Sequence, residues 1–210
     1  MRRYLVTGGC GFIGGHLVRA LLARGDEVDV LDDLSTGRRA GLDPWAQLRV
    51  GDVADEAEVA AAARGCDGIF HLAAIASVPR CLAEPERARA VNLGGARNAL
   101  LAARRPGGAP LPVVLASSAA VYGDAPGVVR EESETRPISG YGADKLAGER
   151  VAAAAAGGGA ARAPTRAPDE AAALAAAFRV ELEAEHAERL AQLDYRKAKA
   201  RQGAAAAGAE

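Results

Sequence analysis

The stretch Tyr4-Leu5-Val6-Thr7-Gly8-Gly9-Cys10-Gly11-Phe12-Ile13-Gly14 runs from a short apolar segment into a glycine cluster and out into a helical pattern. Tyr4 to Thr7 reads as a strand buried on both faces. Gly8 permits a tight turn. Gly11 lets the backbone approach a bound group, because a side chain there stands in the way. Gly14 lets the following helix pack closely. Phe12, Ile13, Leu17, Val18, Leu21 and Leu22 recur at helical spacing, and Gly25 stops the helix.

Further along, strand and helix signals alternate. Strands are predicted over 27–31, 48–50, 68–73 and 113–116, and helices over 55–64, 85–104 and 141–155. Strands separated by helices indicate an α/β fold, a parallel sheet covered by helices on both faces. In that context the glycine loop opens a helix whose first N–H groups face a pyrophosphate. Asp32 lies 18 residues after Gly14, at the end of the second strand. A carboxylate there accepts from both hydroxyls of an NAD ribose and repels the 2′-phosphate of NADP. Arg38 and Arg39 follow closely and can offset that repulsion. The expected architecture is a Rossmann-type doubly wound sheet over 1–152.

Composition shifts after that point. Of the 60 residues from 151 to 210, 25 are alanine. Residues 153–168 read as an Ala/Gly/Pro-rich linker, 169–202 as an amphipathic helix with Leu174, Phe178, Leu182, Leu190 and Leu193 on one stripe, and 203–210 as a disordered tail. The helix is either a docking or coiled-coil element or a solvated helix without a partner.

Charge excludes some classes of function. With 26 basic and 27 acidic residues, the net charge of −1 gives no reason to expect nucleic acid or an anionic membrane as a partner. Cys10, Cys66 and Cys81 are odd in number and widely spaced, so neither a disulfide framework nor a metal site is expected. No apolar run approaches the ~18 residues of a membrane span. Met1-Arg2-Arg3 leads straight into a strand, so a cytoplasmic protein is expected.

A second motif is Tyr141-Gly142-Ala143-Asp144-Lys145. Four residues apart on a helix places Tyr141 and Lys145 on one face. A free tyrosine, with a pKa of about 10, is a poor base at neutral pH, and a nearby ammonium favours its phenolate. Only three of the 26 basic residues are lysines, and Lys145 is the only one before Lys197. Ser117-Ser118 ends the fifth strand, where open sheets place ligands; a hydroxyl there bonds a reacting oxygen, or simply ends a turn. Asp52 either accepts from an adenine amino group or caps the helix near Asp55. His71 reads as a satisfied, partly buried histidine.

These motifs, with Asp32 to Gly37, Gly51-Asp52, His71 to Ala74, Ser77-Val78-Pro79, Val91-Asn92 and Ser117 to Gly123 in this order, resemble the extended short-chain dehydrogenase/reductase family, specifically its NAD-dependent nucleotide-sugar epimerases. The resemblance implies that Tyr141 is the catalytic base, Lys145 its ribose-binding partner and Ser118 the hydroxyl that bonds the sugar oxygen. It implies cofactor contacts at Gly8, Gly11, Phe12, Ile13 and Gly14; at Asp32, Asp33, Leu34, Ser35, Thr36 and Gly37; at Asp52 and Val53; at Leu72, Ala73, Ala74, Ile75 and Ala76; and at Asn92, Tyr141 and Lys145. NAD is the implied cofactor and a nucleotide-sugar the implied substrate, with a homodimer left open and no metal. The implied reaction is transient oxidation of a sugar hydroxyl. Ala119-Ala120, where dehydratases of the family carry an acidic pair, argues against elimination of water.

The resemblance ends near residue 152. A later strand, an Arg-Pro-Phe-like segment and a substrate lobe have no counterpart in 153–210. Truncation, a changed reading frame or a distinct element are the alternatives, and weak turnover by the chain alone is expected. Two other readings stand beside the epimerase: an NAD-binding module without turnover, and a reductase of the same superfamily.

Overall fold

The computed structural model describes residues 1–105 and 108–156. The helix expected over 169–202 and the tail over 203–210 lie outside the described residues, as does most of the expected linker.

Five strands form one parallel sheet: β1 (Arg3–Thr7), β2 (Glu27–Asp32), β3 (Gln47–Val50), β4 (Gly68–His71) and β5 (Val113–Leu115), in the order β3-β2-β1-β4-β5. The chain moves outward from β1 to β3, then crosses back to β4 and on to β5. The order reverses between β1 and β4, and at that point the strand ends open a crevice.

Register sorts the side chains onto two faces. Val6 is paired with Val30 and Thr7 with Leu31, so Val6 and Val30 share one face and Leu5, Thr7 and Leu31 the other. Helix α1 (Phe12–Ala23) packs over β1 and β2 with Leu17, Val18 and Leu21 buried. On the face of Leu5, Leu31 and Ile69, the core is completed by Val59 of α2 (Glu56–Ala62), by Ala99, and by Cys66. All three cysteines are buried and free.

Local chemistry sets the boundaries. Gly25 turns the chain out of α1 at φ +86°. Asp55 caps α2, accepting from the N–H groups of Ala57 at 2.8 Å and Glu58 at 3.2 Å. The N-cap alternative for Asp52 is thereby excluded. Strand β4 ends at His71, two residues before the expected end. There the Leu72 and Ala73 N–H groups reach Thr7 Oγ1, each at 3.2 Å; Leu72 N shares its proton with the Thr7 backbone carbonyl, also at 3.2 Å, and Ala73 turns away from the strand.

The region 85–104, expected as one helix, is divided. A short α3 (Val78–Ala83), capped by Ser77, precedes α4 (Pro85–Arg89). A π-helical segment, Ala90–Gly94, then leads into α5 (Gly95–Ala102). Such widened turns accompany local demands on side-chain direction. Here Asn92 turns inward: its Oδ1 accepts from Ile75 N at 2.8 Å and its Nδ2 donates to Ile75 O at 3.2 Å. The last helix, α6 (Gly140–Ala155), is capped by Ser139 and continues into the stretch read as linker.

The β1–α1 junction has no spare room. A Cβ on Gly14 would strike the Gly8 carbonyl oxygen and stand 2.6 Å from Gly9 Cα. Gly14→Ala is expected to destabilise the domain by about 1–3 kcal/mol, read as a lowered thermal midpoint. Gly41→Ala, where nothing lies within 4 Å of the added carbon, serves as the control and is expected to shift it little.

Candidate functional site

The crevice between β1 and β4 is floored by the glycine turn. Gly8 has φ +72°, and a Cβ there would lie 2.8 Å from Ala73 N. Gly9, outside the three-glycine motif, is equally constrained: a Cβ would meet Val30 Cγ1 at 2.6 Å. Gly11 differs, since its Cβ would approach only the Gly8 carbonyl oxygen, at 3.2 Å, and would otherwise stand in the groove. Helix α1 opens after Gly11 without a side-chain cap, so the positive end of its dipole borders the groove. Phe12 and Ile13 are large, exposed apolar residues on the rim.

The groove brings together most of the expected cofactor contacts. Gly8, Gly11, Phe12, Ile13 and Gly14 line it from the loop, and Asp32, Asp33, Ser35 and Thr36 from the end of β2. Asp52 and Val53 line it after β3, and Leu72, Ala73, Ala74 and Ile75 after β4. Gly51 and Val91 join them. Leu34, Gly37, Ala76, Asn92, Tyr141 and Lys145 are not among these lining residues. Gly37 packs against Cys10, where a Cβ would lie 2.7 Å from the carbonyl carbon. Leu34 adopts φ +58° and donates its N–H to Asp32. Asn92 acts from behind, holding Ile75 by both backbone groups.

Asp32 is held rigidly. One carboxylate oxygen accepts from Cys10 N at 2.9 Å and the other from Leu34 N at 2.8 Å. Only 7% of the residue is exposed. Each oxygen keeps a second lone pair for a ligand hydroxyl. Burial first, and then the Asp32 charge, push the neighbouring Cys10 thiol up to about 11, so it stays protonated. Arg38 and Arg39 are exposed in the following loop and do not line the groove.

His71 differs from the partly buried histidine expected. It is 2% exposed. Its Nδ1 lies 2.9 Å from Thr7 Oγ1, and its Nε2 has no partner among the described residues. Thr7 Oγ1 also accepts from Ala73 N and shares the Leu72 N–H with the Thr7 backbone carbonyl. The pair fixes the backbone of Leu72 and Ala73 against Gly8, at the floor of the groove.

Tyr141, Lys145 and Ser118 gather at the end of β5. Lys145 donates to the Ala116 carbonyl at 2.8 Å, which ties α6 to the residue after β5. Its Nζ lies 5.8 Å from the Tyr141 ring centre. Lys145 is 8% exposed, and burial lowers its pKa. The Tyr141 ring packs on the core cluster. Ser118 accepts from Ala120 N at 3.2 Å and caps a 3₁₀ turn, Ala119–Tyr122. The turn reading of this serine therefore holds, without excluding a ligand bond from its hydroxyl proton. Gly142 allows the approach of that turn, since a Cβ would strike Ala120 O. Neighbouring Ser117 donates to Glu149 instead. Among the described residues, no cluster of His, Cys, Asp and Glu is suited to a metal ion, and no helix is long and apolar enough to cross a membrane.

The family described as the NAD dependent epimerase/dehydratase family matches residues 4–165. UDP-glucose 4-epimerase of Streptomyces lividans is 41% identical over 149 residues, covering 69% of this chain and 45% of that protein. UDP-glucose 4-epimerase of Lacticaseibacillus casei is 38% identical over 149 residues, covering 70% and 44%. The crystal structure of Thermus thermophilus UDP-glucose 4-epimerase in complex with NAD superposes with a TM-score of 0.67 at 40% identity, covering 72% of this chain and 50% of that one. The chain spans about half the length of the relatives it matches.

Burial, assisted by the Lys145 charge, lowers the His71 pKa to about 3 from an ordinary 6.5. The unfolded ring takes up a proton that the folded ring refuses, so stability falls as pH drops from about 6.5 towards 3. Denaturant melts across this window are expected to show that slope, with His71→Gln flattening it. An unchanged slope in the variant would exclude His71 as its source.

Proposed function

The chain belongs to the NAD-dependent epimerase/dehydratase family, and we propose that its groove binds NAD while Ser118, Tyr141 and Lys145 act on a nucleotide-sugar of the UDP-glucose/UDP-galactose kind, inverting one sugar carbon by transient oxidation of its hydroxyl. The observation that carries this reading is the Lys145 tether to Ala116. It holds the Tyr141–Lys145 pair at the end of β5, and β5 is the strand next to β4, which borders the groove.

The residues present fit the cofactor. Gly11 leaves space where a side chain would obstruct a pyrophosphate. Asp32 offers lone pairs for ribose hydroxyls, and Leu72 to Ala74 give a wall of backbone and small side chains. NAD, when bound, supplies a centre that accepts a hydride and returns it. Everything else falls to the protein. Tyr141 takes the proton of the sugar hydroxyl at its phenol oxygen and later returns it. Lys145, a desolvated cation near that ring, stabilises the negative charge that develops there, and two of its three protons remain for a ribose. Ser118, its oxygen already accepting from Ala120, donates its proton to the sugar oxygen. Ala119 and Ala120 supply no acid, which favours epimerisation over loss of water.

Two variants test the assignment in the full chain. Reduction of bound NAD by a UDP-sugar, followed by its near-ultraviolet absorbance, isolates the oxidative half without requiring complete turnover. Tyr141→Phe is expected to slow that half-reaction by about 10²-fold or more while NAD affinity changes little. Lys145→Ala is expected to lower both the rate and the affinity. A Tyr141→Phe variant that reduces NAD at the unaltered rate would overturn the role given to Tyr141.

A further inference from the structure

The groove just described is acidic where its proposed ligand is acidic. Its lining includes the carboxylates Asp32, Asp33 and Asp52 and, among the described residues, no cation. A fourth carboxylate, Glu58, accepts from Asp52 N behind the rim. A pyrophosphate brought beside this set meets like charge, and the dipole of α1 offsets only part of it. A guanidinium faces the set. Arg87, on α4, places Nη1 2.7 Å from Asp52 Oδ2 and Nη2 3.7 Å from Asp33 Oδ2. It thus links the loop after β2 to the loop after β3. The opposite oxygens of these two acids are held locally: Asp33 Oδ1 by Ser35, through both its N–H and its hydroxyl, and Asp52 Oδ1 by Ala54 N.

We propose that Arg87 is a positioning and counter-charge residue for the adenosine-phosphate end of the groove, which it makes able to accept an anionic nucleotide. The proposal rests on the cofactor-groove reading and adds to it a residue outside the glycine motif. Arg87 neutralises one charge of the rim while fixing Asp33 and Asp52, so that Asp32 is the carboxylate left to face the ribose. Its side chain is 36% exposed, and its effect therefore depends on ionic strength, screened over about 8 Å at physiological salt. No sequence pattern marks the residue: the contact joins α4 to two loops that only the fold brings together.

Calorimetric titration of the full chain with NAD, AMP and uncharged adenosine separates charge from shape. Arg87→Gln removes the charge but keeps a polar, though shorter, side chain. It is expected to weaken NAD and AMP by about 3- to 10-fold at low ionic strength, with the deficit narrowing as salt is added, and to change adenosine binding by less. Arg87→Lys is expected to retain most of the affinity. Adding Asp33→Asn to Arg87→Gln restores the rim's net charge and is expected to recover much of the loss. Unchanged AMP affinity in Arg87→Gln, or an equal loss for adenosine and AMP, would overturn the proposal. An unaltered chain that binds neither NAD nor AMP would instead overturn the cofactor reading, and the proposal with it.

Discussion

The approach of α1 to the turn after β1 is the constraint on which the groove depends. Gly14 sits over the Gly8 carbonyl so closely that one added carbon cannot be placed. That contact sets the height of the helix over the sheet and leaves the positive end of α1 at the mouth of the β1–β4 crevice. Gly8, in turn, needs a left-handed backbone and a bare α-carbon to lie against Ala73. Both sides of the crevice are therefore built on backbone-to-backbone packing, where a side chain would act as a wedge.

Behind this junction three separate sets of buried polar groups brace the loops. Thr7 Oγ1 accepts from the first two N–H groups after β4 and shares a hydrogen bond with His71 Nδ1. Asn92 takes both backbone groups of Ile75 a few residues on. Asp32 ties the glycine loop to the turn that carries Leu34. Each pins a segment of the groove wall without filling the groove. A buried polar group left unpaired costs free energy, so these bonds select one arrangement of the loops, and ligand binding need not order them first.

Much of this is legible in the sequence. The strand–glycine–helix pattern announces the turn, and spacing together with the family resemblance picks out Asp32, Ser118, Tyr141 and Lys145. What escapes has no one-dimensional signal. Gly9 looks like a spare glycine until the register of β1 and β2 puts Val30 beneath it. His71 reads as partly buried because its isolation depends on Gly95 and Val53, which pack together from distant parts of the chain, with Gly95 against the ring. The break at Ala90–Gly94 is hidden in a segment with good helical periodicity, because it serves Asn92's reach to Ile75. Arg87 resembles any solvated arginine on a helix. In each case the missing information is a tertiary contact.

Asp32 is proposed to be the residue through which the groove reads NAD. Titration of the purified chain with NAD and with NADP, under identical salt, decides the point. The Asp32 carboxylate, fixed by Cys10 and Leu34, predicts tighter binding of NAD, since a 2′-phosphate would bring a second anion against a buried one. Equal affinity, or a preference for NADP, would show that Arg38 or Arg39 overrides Asp32 and would overturn the role given to it.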